Sequence, residues 1–288
     1  MRIAAAVIMF AGMLVLCAPG EEAHAAGSPV ASGQPDNGPA SVALGSELQP
    51  QTAFMRVPSD NPNTLTSEAL STSELSTIAN HLSDSLSDEL YGNFQLFLYV
   101  NKAENGPWAQ RMFVFLKQAD DSLALARDWR VSTGRERIES NSAGKELPSF
   151  TPQGNYELDP SRMFENYTSI QWGEPMPYAM FLQWKNKGKS TGLAIHAATD
   201  DELPALGARA SAGCVRLDPQ AARDLFHLVQ SQYRGPVPIF GADPQSGTTD
   251  NADSLLHKPD GSFVLADGYR VLVIIDDYGG ENMVASGP

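Results

Sequence analysis

The stretch Ser211-Ala212-Gly213-Cys214-Val215-Arg216-Leu217 decides how this chain is read. The chain holds two cysteines, Cys17 and Cys214. Cys17 lies in an N-terminal run that reads as an export signal, so Cys214 is the one thiol left once that run is removed. A lone thiol outside the cytoplasm has no disulfide partner in its own chain and is open to oxidation. It is kept either by burial or for its reactivity. Cys214 sits after a glycine, two residues before an arginine and eighteen positions after His196. That setting favours reactivity.

Arg2 supplies a charged n-region, residues 3–16 form a mostly apolar run, and Ala23-His24-Ala25 offers the small-x-small pattern of a signal peptidase site. The run falls short of the roughly 20 apolar residues that span a bilayer. Leu16, before Cys17, is not the small residue a lipoprotein box wants. Residues 1–25 are therefore expected to be a signal peptide. The mature chain is expected to be exported to the periplasm or cell envelope, with no transmembrane segment. A formal net charge of −14 argues against nucleic acid as partner and against docking on an anionic membrane by charge.

Residues 26–65 are rich in Ser, Pro, Gly, Asn and Ala and read as a disordered linker. In 66–92, Leu70, Leu75, Ile78, Leu82, Leu86 and Leu90 recur mostly at three- and four-residue steps, which predicts short amphipathic helices packed on the adjoining domain. The pattern then turns to β. Runs at 94–100, 111–116 and 123–131 are apolar and separated by turn residues, and 178–184 and 193–196 suggest a hairpin about Asn186-Lys187-Gly188. Asp218 is a good N-cap with Pro219 at the first helical position, and Ala222, Leu225, Phe226 and Val229 share a face, so a helix follows the cysteine. A strand at 237–240 closes a catalytic domain spanning 93–241. Residues 242–288 read as an acidic linker and a β-hairpin, 262–266 with 269–275, turned at Asp267-Gly268. The fold class is mainly β, with one main helix after the cysteine and short helices in front.

A cysteine nucleophile needs a base, because an unperturbed thiol is only a few per cent ionised at neutral pH. His196 ends the apolar run Leu193-Ala194-Ile195, so a strand would deliver it to a sheet rim. His81, His227 and His257 lie on or near predicted helices or in the acidic segment and suit surface or packing roles. Gly213 gives a substrate carbonyl room to approach, and the Gly213 and Cys214 amides are expected to donate to a developing oxyanion. Arg216 fits either a grip on a substrate carboxylate or a structural ion pair holding the loop. One cysteine without a histidine pair at ligand spacing speaks against a metal centre, and no cofactor motif is present. Spacing thus points to a Cys/His acyl-transfer enzyme without naming its substrate.

The chain resembles the catalytic domain of the L,D-transpeptidases, the YkuD family. The resemblance rests on His196, a variable loop, and Ser211-Ala212-Gly213-Cys214-Val215-Arg216. Upstream, Val131-Ser132-Thr133-Gly134, Thr151-Pro152-Gln153-Gly154-Asn155-Tyr156 and Met176-Pro177-Tyr178 match further blocks in order. Two positions depart from the commonest pattern. Ala197 stands where many members have glycine, and Ala212 where many have a second histidine.

The resemblance implies a YkuD-like β-sandwich that acts on peptidoglycan stem peptides in cell-wall biogenesis and cell shape. Cys214 would be the nucleophile and His196 the base and then the acid. Ser211 would shape the loop, and Tyr178 would line the donor pocket. The acceptor would be a second stem, giving a 3→3 cross-link, or an envelope protein, or water as in an L,D-carboxypeptidase. Such enzymes are often trapped by carbapenems through the same thiol. The competing reading is a non-catalytic wall-binding or scaffold module.

Overall fold

The computed structural model describes residues 70–252 and 254–279. The export signal of 1–25 and the linker of 26–65 lie outside the described residues. The first element, α1 (Thr72–Ser85), starts at a capping box: the Ser71 hydroxyl accepts from the Glu74 amide while the Glu74 carboxylate accepts from the Ser71 amide. A short α2 (Asp88–Asn93) follows, capped by Ser87.

Among the described residues fourteen strands follow, eight of them in one sheet. They are β1 (Leu96–Asn101), β2 (Arg111–Lys117), β3 (Leu123–Arg130), then, after the ribbon of β4 (Ile138–Ser140) and β5 (Glu146–Pro148), β6 (Gly154–Phe164) and β7 (Ala179–Leu182). The two-residue β8 (Lys185–Asn186) and β9 (Lys189–Ser190) flank the expected turn, in which Lys187 and Gly188 both take positive φ. Then come β10 (Ala194–Ala197), β11 (Val215–Leu217), α3 (Pro219–Gln232), β12 (Arg234–Pro238), β13 (Leu265–Tyr269) and β14 (Val271–Asp276). The sheet order is β11-β10-β7-β6-β14-β1-β2-β3. The β1–β14 and β10–β11 pairs are parallel.

β6 is the hinge of the sheet. Its first residues pair with β14, and from Leu158 onward, across a register break before Met163, it pairs with β7. At the far edge, Ser132 exchanges backbone hydrogen bonds with Arg216 of β11, so the two ends of the strand order meet. The two halves of the sheet therefore share one core. Leu98 and Val114 pack there with Met180 and Ile195, and α3 adds Leu225 and Phe226.

The outer face carries a second core. Phe97, Phe113 and Leu272 are covered by Ile78, Leu82 and Leu90 of the N-terminal helices. Because both faces are buried, β1, β2 and β14 read as nearly unbroken apolar runs rather than alternating ones. The mainly β class, the helices packed in front and the helix after the cysteine are all present.

The C-terminal hairpin is not. β13 runs straight through Asp267-Gly268 and pairs with β12, whereas β14 enters the middle of the main sheet between β1 and β6. Gly268 serves close packing instead of a turn: a Cβ there would lie 2.5 Å from Cγ2 of Val237. The domain thus continues past 241, because a fully apolar strand gains most where both neighbours and both faces are protein.

Candidate active site

β10 carries His196 at its buried C-terminal end, with only 3% of the residue exposed. Its Nδ1 lies 2.8 Å from the Ala197 carbonyl oxygen. A carbonyl can only accept, so Nδ1 bears the hydrogen and Nε2 holds the lone pair of the neutral ring. Burial pushes the imidazole pKa down to about 4; the Ala197 carbonyl opposes this and the Arg216 charge adds to it.

The parallel β10–β11 pairing sets His196 level with Arg216, two residues beyond Cys214. Cys214 is a free, partly exposed thiol, and its Sγ donates to the Gly192 carbonyl at 3.4 Å. Although the residue opens onto a cleft, the surrounding protein desolvates the sulfur and pushes its pKa up to about 11, with the Ala194 backbone and Arg216 pulling the other way. The resting pair is a neutral thiol and a neutral imidazole. Both line a cleft of about 650 Å³, whose walls include Arg162, Tyr167, Trp172, Glu174 and Trp184.

The cysteine loop is held by contacts from distant segments. Gly213 adopts φ +120°, and a Cβ there would come within 2.9 Å of the Phe150 carbonyl oxygen, so both torsion and space call for glycine. The Ser211 hydroxyl donates to the Cys214 carbonyl at 2.5 Å and accepts from the Gly213 amide at 3.0 Å. Thr151 Oγ1 donates to the Gly213 carbonyl at 2.6 Å and accepts from the Gly134 amide at 2.7 Å. The sequence blocks at 131–134 and 151–156 therefore converge on 211–217.

Two expectations change here, and one open reading narrows. The Gly213 amide is already engaged by Ser211, so it is not free to serve an oxyanion. Tyr178 does not line the cleft; at φ +53° it packs edge-on against Phe226 and His227 of α3, and Met176 of the same block faces the cleft instead. Arg216 reaches the cleft, but its guanidinium is committed to Glu202 at 2.5 Å and Glu174 at 3.1 Å. Of its two readings, the ion pair is the one the contacts match.

Ala212 lines the cleft beside the cysteine. His81 pairs with Asp276 at 2.7 Å and His257 with Glu89 at 3.1 Å, and His227 packs against Tyr178, so none of the three lines the cleft. Among the described residues, no group of three or more His, Cys, Asp or Glu is placed to hold a metal.

A family model described as the L,D-transpeptidase catalytic domain, YkuD, matches residues 97–251, more than half of the chain. The chain belongs to this family. L,D-transpeptidases are also found among similar solved structures. One from Xylanimonas cellulosilytica is 13% identical, with a TM-score of 0.36 over 64% of this chain and 61% of that one. One from Mycobacterium smegmatis is 13% identical, with a TM-score of 0.35 over 64% and 59%. A helical cell shape determining protein from Campylobacter jejuni is 16% identical, with a TM-score of 0.34 over 67% and 52%. The chain thus spans about three fifths or less of each of these chains, and membership rests on the family match. Curated proteins give no match. Among the described residues, no helix is long and apolar enough to cross a membrane.

Two features of this site were not legible beforehand. Thr151 stood in a quoted block without a role, because its partner lies 62 positions away. Arg162, Trp172 and Trp184 carried no motif at all.

Proposed function

We propose that this protein is an exported peptidoglycan L,D-transpeptidase with Cys214 as nucleophile and His196 as general base. The observation that carries the reading is that both side chains line one cleft, with the His196 Nδ1 tied to the Ala197 carbonyl and Nε2 left with its lone pair.

The chemistry follows from that arrangement. The thiol attacks the carbonyl carbon of the third, L-centred residue of a donor tetrapeptide while its proton passes to His196 Nε2. With a thiol near 11 and an imidazole near 4, this transfer accompanies S–C bond formation and does not precede it. The C–N bond to the terminal D-alanine then breaks, and the imidazolium gives its proton to the departing amine. A thioester remains on Cys214. An acceptor amine attacks the thioester and loses its proton to His196; expulsion of sulfur takes that proton back and restores the thiol.

With a neighbouring stem as acceptor the product is a 3→3 cross-link. A protein lysine would tether an envelope protein, and water would release the tripeptide. Cell-wall peptidoglycan places the working enzyme in the periplasm or envelope. The test is to incubate the purified protein with peptidoglycan, digest the wall and identify the muropeptides by mass. New 3→3 dimers or shortened stems that disappear in Cys214→Ala support the reading. Unchanged muropeptides together with no adduct on Cys214 would return the chain to a non-catalytic wall-binding module.

A further inference from the structure

The peptide joining Gly213 to Cys214 is planar and trans, so its C=O and its N–H point in opposite directions. Whatever holds the Gly213 carbonyl therefore aims the Cys214 amide. That group is the Thr151 hydroxyl, 2.6 Å from the Gly213 carbonyl oxygen. The Gly134 amide, 2.7 Å away, occupies a lone pair of the same hydroxyl, which directs the hydroxyl hydrogen to Gly213.

Thr151 is itself pinned and fully buried. Its amide donates to Glu136 Oε1 at 3.1 Å, its carbonyl accepts from Lys102 Nζ at 2.7 Å, and Lys102 pairs with Glu136 at 2.8 Å. The Gly213 amide, meanwhile, is taken by Ser211. Of the two amides at the tip of the loop, only that of Cys214 is left to meet negative charge.

We propose that Thr151 is a positioning residue that presets the Cys214 amide as the one oxyanion donor this loop supplies. The inference rests on the acyl-transfer reading above. In the step it serves, Cys214 sulfur bonds to a carbonyl carbon, the carbonyl electron pair moves onto oxygen, and that oxygen accepts from the Cys214 amide. Collapse breaks the C–N bond, and the proton held by His196 goes to the departing nitrogen.

Two reagents separate positioning from mere support. A carbapenem acylates the thiol through such an oxyanion, whereas iodoacetamide alkylates it by displacing iodide from a methylene carbon, with no oxyanion. Thr151→Val keeps the shape and removes the hydroxyl; Thr151→Ser keeps the hydroxyl. The expected result, followed by intact mass, is that Thr151→Val slows acylation by about tenfold to a hundredfold, alkylation stays within about twofold, and Thr151→Ser recovers most of the acylation rate. Equal losses in both reactions for Thr151→Val, or unaltered acylation, would overturn the positioning role. If the wild-type protein is alkylated but never acylated, the acyl-transfer reading falls first, and this inference with it.

Discussion

The Ser211 hydroxyl donates to the carbonyl of Cys214, three residues on, and accepts from the amide of Gly213 between them. One buried oxygen thus closes the loop that presents the thiol. Ser211→Ala leaves the Gly213 amide and the Cys214 carbonyl without that partner inside the protein, at a cost of about 1–3 kcal/mol. The substitution should lower the melting temperature and slow carbapenem acylation of Cys214, with Ser211→Thr restoring part of both. Thermal denaturation and intact-mass kinetics on the three proteins check this. An alanine variant as stable and as fast as wild type would remove the bracing role.

Cys214→Ala and Cys214→Ser should abolish cross-linking while the fold stays intact, since the cysteine is partly exposed at a cleft and neither replacement is larger than the thiol. A hydroxyl in its place lacks matched activation. Muropeptide mass spectra and circular dichroism read the two outcomes separately. Near-normal 3→3 products from the alanine variant would refute the nucleophile assignment.

His196→Gln should reduce acylation by about 10² or more, the usual scale of a lost general base. Its pKa near 4 also sets a pH dependence. The neutral ring needed as base persists down to about pH 5, so wild-type acylation should hold there and fall only as the pH approaches 4. A rate already halved near pH 6.5 would show an imidazole that titrates normally.

Two buried groups oppose one another in the pH dependence of stability. His196 has a depressed pKa, so between about 4 and 6.5 the unfolded chain binds more protons than the folded one, and stability is lost as pH falls through that window. Glu157 is 2% exposed, its Oε1 has no hydrogen-bond partner, and burial pushes its pKa up to about 7. Here the folded state holds the extra proton, so stability is fully present below about 4.5 and is lost as pH rises through 7. His196→Gln should therefore leave stability falling from pH 5 to 7, and Glu157→Gln should leave it rising. The glutamine at 157 should be worth on the order of 3 kcal/mol above pH 7. Urea denaturation at pH 5, 6, 7 and 8 measures both slopes; parallel curves for the two variants would contradict this account.

Truncation after residue 260 should prevent folding, although it retains every residue matched to the family. The loss takes away β14, whose Val271, Leu272, Val273, Ile274 and Ile275 are all buried between β1 and β6. Each such side chain contributes roughly 1.5–3 kcal/mol on burial, a sum comparable to the whole stability of a usual domain. Amide exchange or proteolysis of the truncated chain reports the outcome, and a folded, cooperative product would overturn it.

Local chemistry was legible in the residues themselves. Asp218 and Pro219 start α3, the leucine spacing from Leu75 to Leu90 marks the packed helices, and the Cys214 motif with its upstream blocks marks the family. Each is set by contacts within a few positions or by a pattern that side-chain chemistry alone requires. Tertiary structure decided where strands and charges found partners. The Asp267-Gly268 pair carries a turn signal as a dipeptide, but β14 gains two neighbours and two covered faces by entering the sheet, which outweighs the local preference. Arg216 could be assigned only once Glu202 and Glu174 were folded against it, and Tyr178 only once α3 lay beside it. Thr151 meets Gly213 across 62 residues, and no local pattern encodes a hydrogen bond that exists only because β6 and β11 belong to one closed sheet.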